Sequence, residues 1–457
     1  MESVHPSNYF PAGKPRLMPS EETLPSSTAP SAACDYDVIV VGAGAAGLLA
    51  ATRAAERGKR TLLLEKNRKP GVKILMSGGT RCNLTHDTDR RRIVDAYGKQ
   101  GRFLHSALAA LGPKELIALV EQEGVPTKIE ETGKVFPASN TAVDVLEAFM
   151  LRLRRSGAEL VLEEPVRELE VLDPAAGPRF RIVTSARTLT TNRLIVTTGG
   201  QSYPGSGTTG DAYAWAARLG HTIVTPRAAL VPITSPAAWV ADLKGVTLTD
   251  VELRVTEPAG SQPDAKGRPP KPKLLDRRRG SLLFAHFGLT GPVALDISRE
   301  VSGHAHPSTL ILECDFVPDL SEAACDEHLR SQAAEMGKKQ VFSILPEAIP
   351  RRLAEVLLAR AEVKGEQQAS QLSKADRARL VPMLKHLVIP ISGTRGFAKA
   401  EVTAGGISLD EVDSRTLESK RVPGLFLAGE VLDLDGPIGG YNFQAAFSTG
   451  WLAGESV

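Results

Sequence analysis

The sequence predicts an α/β protein in which a doubly wound, largely parallel sheet is interrupted by a second unit, rich first in strands and then in helices. Three observations carry that expectation. Residues 35–65 run strand, helix, strand. Residues 224–317 change to β-type alternation with proline-rich breaks, and 321–385 to apolar spacing at three and four. Glycine-rich strand ends then return from about residue 400.

The chain has 457 residues with 42% hydrophobic and 24% charged content, enough for two or three domains with sizeable cores. Lys and Arg number 55 against 53 Asp and Glu, so no global charge points to nucleic acid or an anionic membrane. Cys34, Cys82, Cys314 and Cys325 form no Cys-x-x-Cys pair, which argues against a disulfide framework, a zinc site or a dithiol centre and fits a reducing cytoplasm. No apolar run approaches the ~20 residues that span a bilayer. Residues 1–34, rich in Pro and Ser and without a continuous apolar stretch, read as a disordered leader.

The most specific local pattern begins at Val38. Val38–Val41 reads as a strand buried on both faces, and Gly42-Ala-Gly-Ala-Ala-Gly47 follows at the start of an Ala-rich helix. In this pattern Gly42 makes the tight turn, Gly44 lets a pyrophosphate approach the backbone, and Gly47 brings helix against strand. Ala45 and Ala46 then present helix-terminal N–H groups to phosphate. Thr61–Leu64 is a second strand ending in Glu65, 23 positions beyond Gly42, near the ~20 at which a carboxylate meets a ribose hydroxyl. Residues 35–65 therefore predict a dinucleotide seat.

Beyond Glu65 lies a stretch rich in Gly and Lys, including Lys66 and Lys73, that reads as a loop. Apolar spacing predicts helices over 103–124 and 142–157. Leu160–Leu162, Val166–Leu172 and Phe180–Thr184 read as a small meander, and Arg193–Thr198 as the strand returning to the main sheet, closed by Thr197-Thr198-Gly199-Gly200. A second Gly-x-Gly-x-x-Gly, Gly205–Gly210, is separated from that strand by Gln201–Pro204 and has no acid near position 225. It is read as a decoy and not as a nicotinamide site. The expected division is 35–223 for the first part of the dinucleotide-binding domain, 224–320 for an inserted β part, 321–395 for its helical part, and 396–457 for the return. The basic run Lys266–Arg279 reads as a solvated hairpin loop, and Arg90–Arg92 as a solvated charged patch. Near the C-terminus, Leu425-Phe-Leu-Ala-Gly-Glu430 is a strand ending in a glycine turn. Gly436-Pro-Ile-Gly-Gly-Tyr-Asn442 then opens a last helix, a second place for an anionic group.

Four segments resemble one known family, the BaiN/YhiN-like (aminoacetone-oxidase-like) NAD(P)/FAD-dependent oxidoreductases. They are the fingerprint with Glu65; Gly71–Thr85 with its Ser77-Gly-Gly-Thr-Arg-Cys-Asn83; Gly280–Pro292; and Thr403–Ile407 running through Pro423–Gln444. The resemblance covers about Asp35 to the C-terminus. It implies an FAD-binding Rossmann-like domain of the two-dinucleotide-binding flavoprotein type, interrupted by a β-barrel-like plus helical insert. It further implies that Ser77, Gly78, Gly79, Arg81, Cys82 and Asn83 form a loop beside the flavin, with Arg81 balancing a phosphate or a reduced ring. Gly429, Glu430, Gly436, Gly439, Gly440, Tyr441 and Asn442 would close on it from the other side, Glu430 reaching ribityl hydroxyls. Lys66, Lys73, Val166, Thr198 and Gly199 complete the expected cofactor contacts. Thr80 stands where relatives often carry glycine, and Ala285 where a threonine is common before His286. Around Gly199 to the helix at Asp211, the chain is similar to the segment that fumarate-reductase-like flavoproteins place around FAD and substrate.

The expected activity is that of an FAD-dependent oxidoreductase on a small organic substrate, with NADH, NADPH or oxygen as redox partner. The resemblance implies a reductase of steroid-type conjugated ketones or an amine oxidase. His286, Arg81 and Tyr441 are the candidate catalytic residues, and no metal is expected. Two rivals belong to other classes: a flavin-dependent RNA-modifying protein, favoured by the basic run, and a flavin-carrying sensor without turnover.

Overall fold

The computed structural model describes residues 34–173, 177–259 and 271–457; the expected leader lies outside them, apart from its last residue. β1 (Tyr36–Val41), α1 (Ala45–Glu56) and β2 (Thr61–Leu64) form the expected opening unit. The parallel strands stand in the order Glu159–Val161, β2, β1, Thr188–Val196, Leu425–Leu427. By position in the chain this is 3-2-1-4-5, the doubly wound order, so the switch point falls between β1 and the Thr188–Val196 strand. Val38, Ile39 and Val40 are fully buried because helices cover both faces of such a sheet.

The C-terminal helix Tyr441–Ser456 lies against α1 through small residues. A Cβ on Gly450 would sit 2.1 Å from the Ala46 carbonyl oxygen, and one on Gly454 2.3 Å from that of Ala50. The first and last helices of the domain are thus in backbone contact.

A second core is built from residues 233–391. Its seven-stranded antiparallel sheet has Leu387–Ile389 at one edge and Gly393–Thr394 at the other. Flat, those edges would lie about 29 Å apart at ~4.8 Å per strand, whereas the three residues between them reach about 14 Å. The sheet must therefore curl until its edges stand within that reach, the strong curvature of the β-barrel-like insert expected. Helix Pro292–Ser302 buries Val293, Ala294, Ile297 and Val301 in this core. Helices Glu322–Glu335, Arg351–Arg360 and Lys374–Lys385 cover the other side, tied to the barrel by the buried Lys385–Asp315 ion pair at 2.7 Å. The chain leaves and re-enters the first domain side by side: Ile223–Ala229 pairs antiparallel with Val402–Ile407.

Several expectations are corrected. The helix expected over 103–124 is broken at Leu111–Gly112, because Pro113 starts a new helix, Pro113–Gln122, and disfavours the helical backbone before it. Glu159–Val161 is not part of the meander; it pairs parallel with β2, and the meander consists of Val166–Val171, Phe180–Thr184 and the Thr188–Val196 strand. The Gly- and Lys-rich stretch contains α2 (Val72–Thr80), regular up to Met76. The basic run is not all loop. Lys273–Arg279 belongs to the strand Lys273–Ala285, with Arg279 paired to Asp250 and Asp319 and Arg278 to Asp276; residues 266–270 lie outside the described residues. Among the described residues, no single helix is long and apolar enough to cross a membrane.

Candidate functional site

The C-terminal ends of β1 and β2 open into a cavity of about 720 Å³, within the size range of cofactor and small-molecule sites. Its floor is the fingerprint turn. Gly42 has φ +101°, and a Cβ there would lie 2.7 Å from the Thr197 carbonyl oxygen. A Cβ on Gly47 would lie 1.8 Å from the Gly42 oxygen, so that glycine serves packing and does not face the cavity. Gly44 begins α1 without a side-chain cap, and a Cβ there meets nothing within 4 Å. Free N–H groups of a helix start, with the dipole behind them, therefore face open space. Glu65, 7% exposed, ends β2; its two oxygens accept the N–H groups of Ala43 and Asn67 at 2.8 Å each. A carboxylate has about four lone-pair sites, so acceptor capacity remains for a ribose hydroxyl.

The opposite wall is the loop after Met76. Ser77 leaves the helix in an extended conformation, and Gly78 and Gly79 take left-handed φ values of +57° and +67°, turning the chain along the cavity. Thr80 and Cys82 follow at φ +69° and +61°, costly for residues with a Cβ and most of all for β-branched Thr80. The buried Asn83 amide, oriented to satisfy both neighbours, donates to the Thr85 carbonyl and accepts from Gly440 N–H, each at 3.0 Å. Thr85 Oγ1 donates to Gln444 Oε1 at 2.6 Å. Asn442 accepts from Gly436 N–H at 2.8 Å and donates to the carbonyls of Gly436 and Pro437. Those amides join the Ser77–Asn83 loop to the start of the C-terminal helix, which also has no side-chain cap at Gly440.

Gly42, Gly44, Ala45, Ala46, Glu65 and Lys66 line the fingerprint end of this one cavity. Lys73, Ser77, Gly78, Gly79, Arg81, Asn83, Val166, Thr198 and Gly199 line its length, and Gly429, Glu430, Gly439, Gly440 and Asn442 its far side. Gly205–Gly210 is no separate seat: Ser206 and Gly207 line the same cavity, packed on Asn67. Glu430 is fixed by Lys73 Nζ at 2.7 Å, Ser202 Oγ at 2.5 Å and Thr403 N–H at 2.9 Å. Lys66 is held by Asp211 and Thr209.

Five expected residues are not on the wall. Cys82 is fully buried, and burial pushes its thiol up to about 12, so it packs as a small apolar residue. Gly436 faces the Tyr97 ring, where a Cβ would clash at 2.6 Å. Tyr441 turns away to stack on His86 at 5.0 Å. His286 is exposed at the hairpin turn after Ala285, in edge contact with Phe287, and is neither a core residue nor near the cavity. Gly47 is the fifth. Arg81 does reach the wall, but its guanidinium is spent on Glu130 at 2.7 Å and lies over the Phe136 ring at 4.0 Å.

Sequence reasoning missed Lys134, Lys399 and Glu401. They come from two segments, Lys134 from the strand Lys134–Pro137 and Lys399 with Glu401 from the stretch between the turn Phe397–Lys399 and the strand Val402–Ile407, and all three line the cavity. No local spacing could have grouped Lys134 with the other two. Glu401 is open to the cavity yet enclosed by surrounding protein, and this enclosure, with Asp296 nearby, raises its pKa above the usual carboxylate range. Asp296, whose carboxylate accepts the Ile438 N–H at 2.8 Å, is pushed by burial to about 6.

Two uncapped helix starts from opposite ends of the chain thus share one elongated cavity, along which the Thr198 hydroxyl is buried without a protein partner. Such a cradle fits a flavin dinucleotide, with donors for a pyrophosphate at one end and for an electron-rich ring edge further along. Fold and site define a dinucleotide-cofactor oxidoreductase. The chain belongs to the HI0933-like family, whose Rossmann-domain model matches residues 36–456. It is an FAD-dependent oxidoreductase. It is 31% identical to proteins named ribosomal RNA dihydrouridine synthase from Haemophilus influenzae (over 423 residues) and Escherichia coli K12 (over 425), covering 92% of this chain and 98% of each relative. It is 29% identical over 424 residues to a 3-dehydro-bile acid delta(4,6)-reductase from Clostridium scindens, with the same coverage.

Proposed function

We propose that the protein reduces a carbon–carbon double bond conjugated to a carbonyl. The observation that carries this reading is the continuous cavity that runs from the fingerprint turn to the insert, where one carboxyl and two lysines stand without protein partners among the described residues. The names of the relatives support the same class. Dihydrouridine is uridine reduced across a double bond conjugated to a ring carbonyl, and a delta(4,6)-reductase name describes alkene reduction in a steroid-type ketone.

FAD supplies hydride chemistry when bound; the protein supplies position, charge and exclusion of water. In this reading Ala45 and Ala46 N–H groups take the pyrophosphate, Glu65 the adenosine ribose, Glu430 the ribityl chain, and the loops Ser77–Gly79 and Gly439–Gly440 border the ring. NADH or NADPH is the proposed donor, entering the same cavity transiently. The substrate is a free enone or a uracil ring in RNA. The 31% identity to the synthases favours the second, whereas the paired arginines Arg278 and Arg279 remove part of the basic surface that would favour it.

The test is to purify the protein with FAD, reduce it anaerobically with NADH or NADPH, and add a 4-en-3-one steroid or uridine-containing ribosomal RNA. Reoxidation by one of them, with a product two hydrogens heavier, is expected. Failure of both, with bleaching of the oxidised protein by amines, would replace the reading with an amine oxidase. Failure of every donor and acceptor would leave a sensor.

A further inference from the structure

We infer that Glu401, Lys134 and Lys399 form a substrate-protonating subsite that takes the carbonyl oxygen of a conjugated alkene on the lysine ammoniums and protonates its α-carbon from Glu401. The inference rests on the reductase reading above.

Every other charged side chain on the cavity wall has a protein partner. Glu65 is held by backbone N–H groups, Lys66 by Asp211, Lys73 by Glu430, Arg81 by Glu130 and Glu164 by Arg187. Among the described residues, no hydrogen bond or ion pair holds the side chains of Lys134, Lys399 or Glu401. Glu401 and Lys399 are exposed toward the cavity and Lys134 is half-buried, so all three charges are free to meet a ligand there.

Glu401 is anchored by its backbone, whose N–H donates to the Leu230 oxygen at 3.1 Å, beside fully buried Ala400. Its side chain therefore emerges from a fixed point at the junction, where both ends of the insert meet the first domain. The charged groups facing it are Asp296 from helix Pro292–Ser302, Lys134 from the strand Lys134–Pro137 and Lys73 from α2, with Lys399 two residues before it on its own segment. Enclosure and Asp296 favour the protonated acid; the lysines oppose this. A carboxylic acid kept protonated to higher pH suits proton donation.

The step balances. A hydride from reduced flavin, carrying two electrons, bonds to the β-carbon, and the π pair of the double bond moves toward the carbonyl oxygen, where the ammoniums stabilise it. The α-carbon then takes the proton of Glu401, and the resulting carboxylate is reprotonated by water. The substrate gains one hydride and one proton, and the flavin is oxidised.

The experiment uses FAD-loaded protein reduced with dithionite, so that the nicotinamide step is bypassed, and whichever of the two acceptors reoxidises wild type. E401Q should retain FAD and slow reoxidation about 100-fold. Wild type should slow as pH rises, that fall should disappear in E401Q, and E401D should restore part of the rate. As a readout independent of turnover, 4-chlorophenol, whose phenolate oxygen mimics the charged carbonyl, is titrated into the oxidised holoprotein and followed by its charge-transfer absorbance. The double variant K134A/K399A should weaken its binding at least tenfold. Slowing of less than tenfold in E401Q with an unchanged pH profile, or phenol binding by the lysine variant within twofold of wild type, overturns the subsite. If wild type is reoxidised by neither alkene, the reductase reading itself falls, a different result from normal wild-type turnover with indifferent variants.

Discussion

At the fingerprint end of the cavity Glu65 is held by two backbone N–H groups and Lys66 by Asp211, whereas at the insert end Lys134, Lys399 and Glu401 have no protein partner among the described residues. The two ends solve different problems. A resident cofactor needs a fixed seat, so the charges there are spent on holding the backbone in shape, and the helix starts supply the free donors. A substrate that comes and goes must find unspent charge, whose interactions are then realised during the reaction and not before it. The first kind of site is encoded locally, by glycines at fixed offsets. The second is assembled by the return of the insert.

The largest effect expected on this contrast is at Gly42. Gly42→Val adds a branched side chain at φ +101°, with its Cβ 2.7 Å from a backbone oxygen that cannot move without shifting the Thr188–Val196 strand. Strain and overpacking together should cost about 3–5 kcal/mol and abolish FAD binding. Urea unfolding and flavin absorbance check both; retained FAD would mean the turn is not the seat.

Next is Glu430→Ala, which leaves Lys73 with Ser202 alone and strands the Thr403 N–H at the middle of the cavity. A loss of about 2–4 kcal/mol is expected, together with weaker FAD binding, read by titrating FAD into apoprotein.

Asp296 probes the junction by pH. Its folded pKa of about 6 lies above the ordinary carboxylate value of 3.8, so the unfolded chain ionises first as pH rises. Wild type should therefore lose about 1–3 kcal/mol of stability between pH 4 and 7 from this group. D296N keeps an acceptor for the Ile438 N–H but cannot ionise, so its stability relative to wild type should rise across that window. Removing a negative charge beside Glu401 should also move the pH limb of substrate reduction to lower pH. A parallel pair of stability curves would contradict this.

The smallest effect is at Thr80. Thr80→Gly relieves a left-handed β-branched residue, a gain of about 1–2 kcal/mol offset by about 0.5–1 kcal/mol of unfolded-chain entropy. Thermal melting of the holoprotein should rise slightly and activity should hold.

The same contrast decides what is legible in the chain. Gly42, Gly44, Gly47 and Glu65 can be read directly because a tight turn, a close approach and a helix contact each demand one residue type at one offset. Asn442 and Gln444 are visible as part of a motif, yet in the structure their amides brace the loop and tie it to Leu111, Thr85 and Gly436. Arg81 stands out in its motif in the same way, but only the fold shows Glu130 taking its charge. Lys134 leaves no trace in sequence as a neighbour of Lys399 and Glu401 because only the fold brings its strand, more than 260 residues earlier in the chain, to the same cavity.

The most direct test of the two-ended cavity is a crystal structure of the FAD-loaded protein. The pyrophosphate should lie on the N–H groups of Ala45 and Ala46, with the isoalloxazine ring bordered by Ser77–Gly79 and Gly439–Gly440 and its reactive face open toward Glu401, Lys134 and Lys399. A flavin bound in the reverse sense, or with its ring walled off from those three residues, would contradict it.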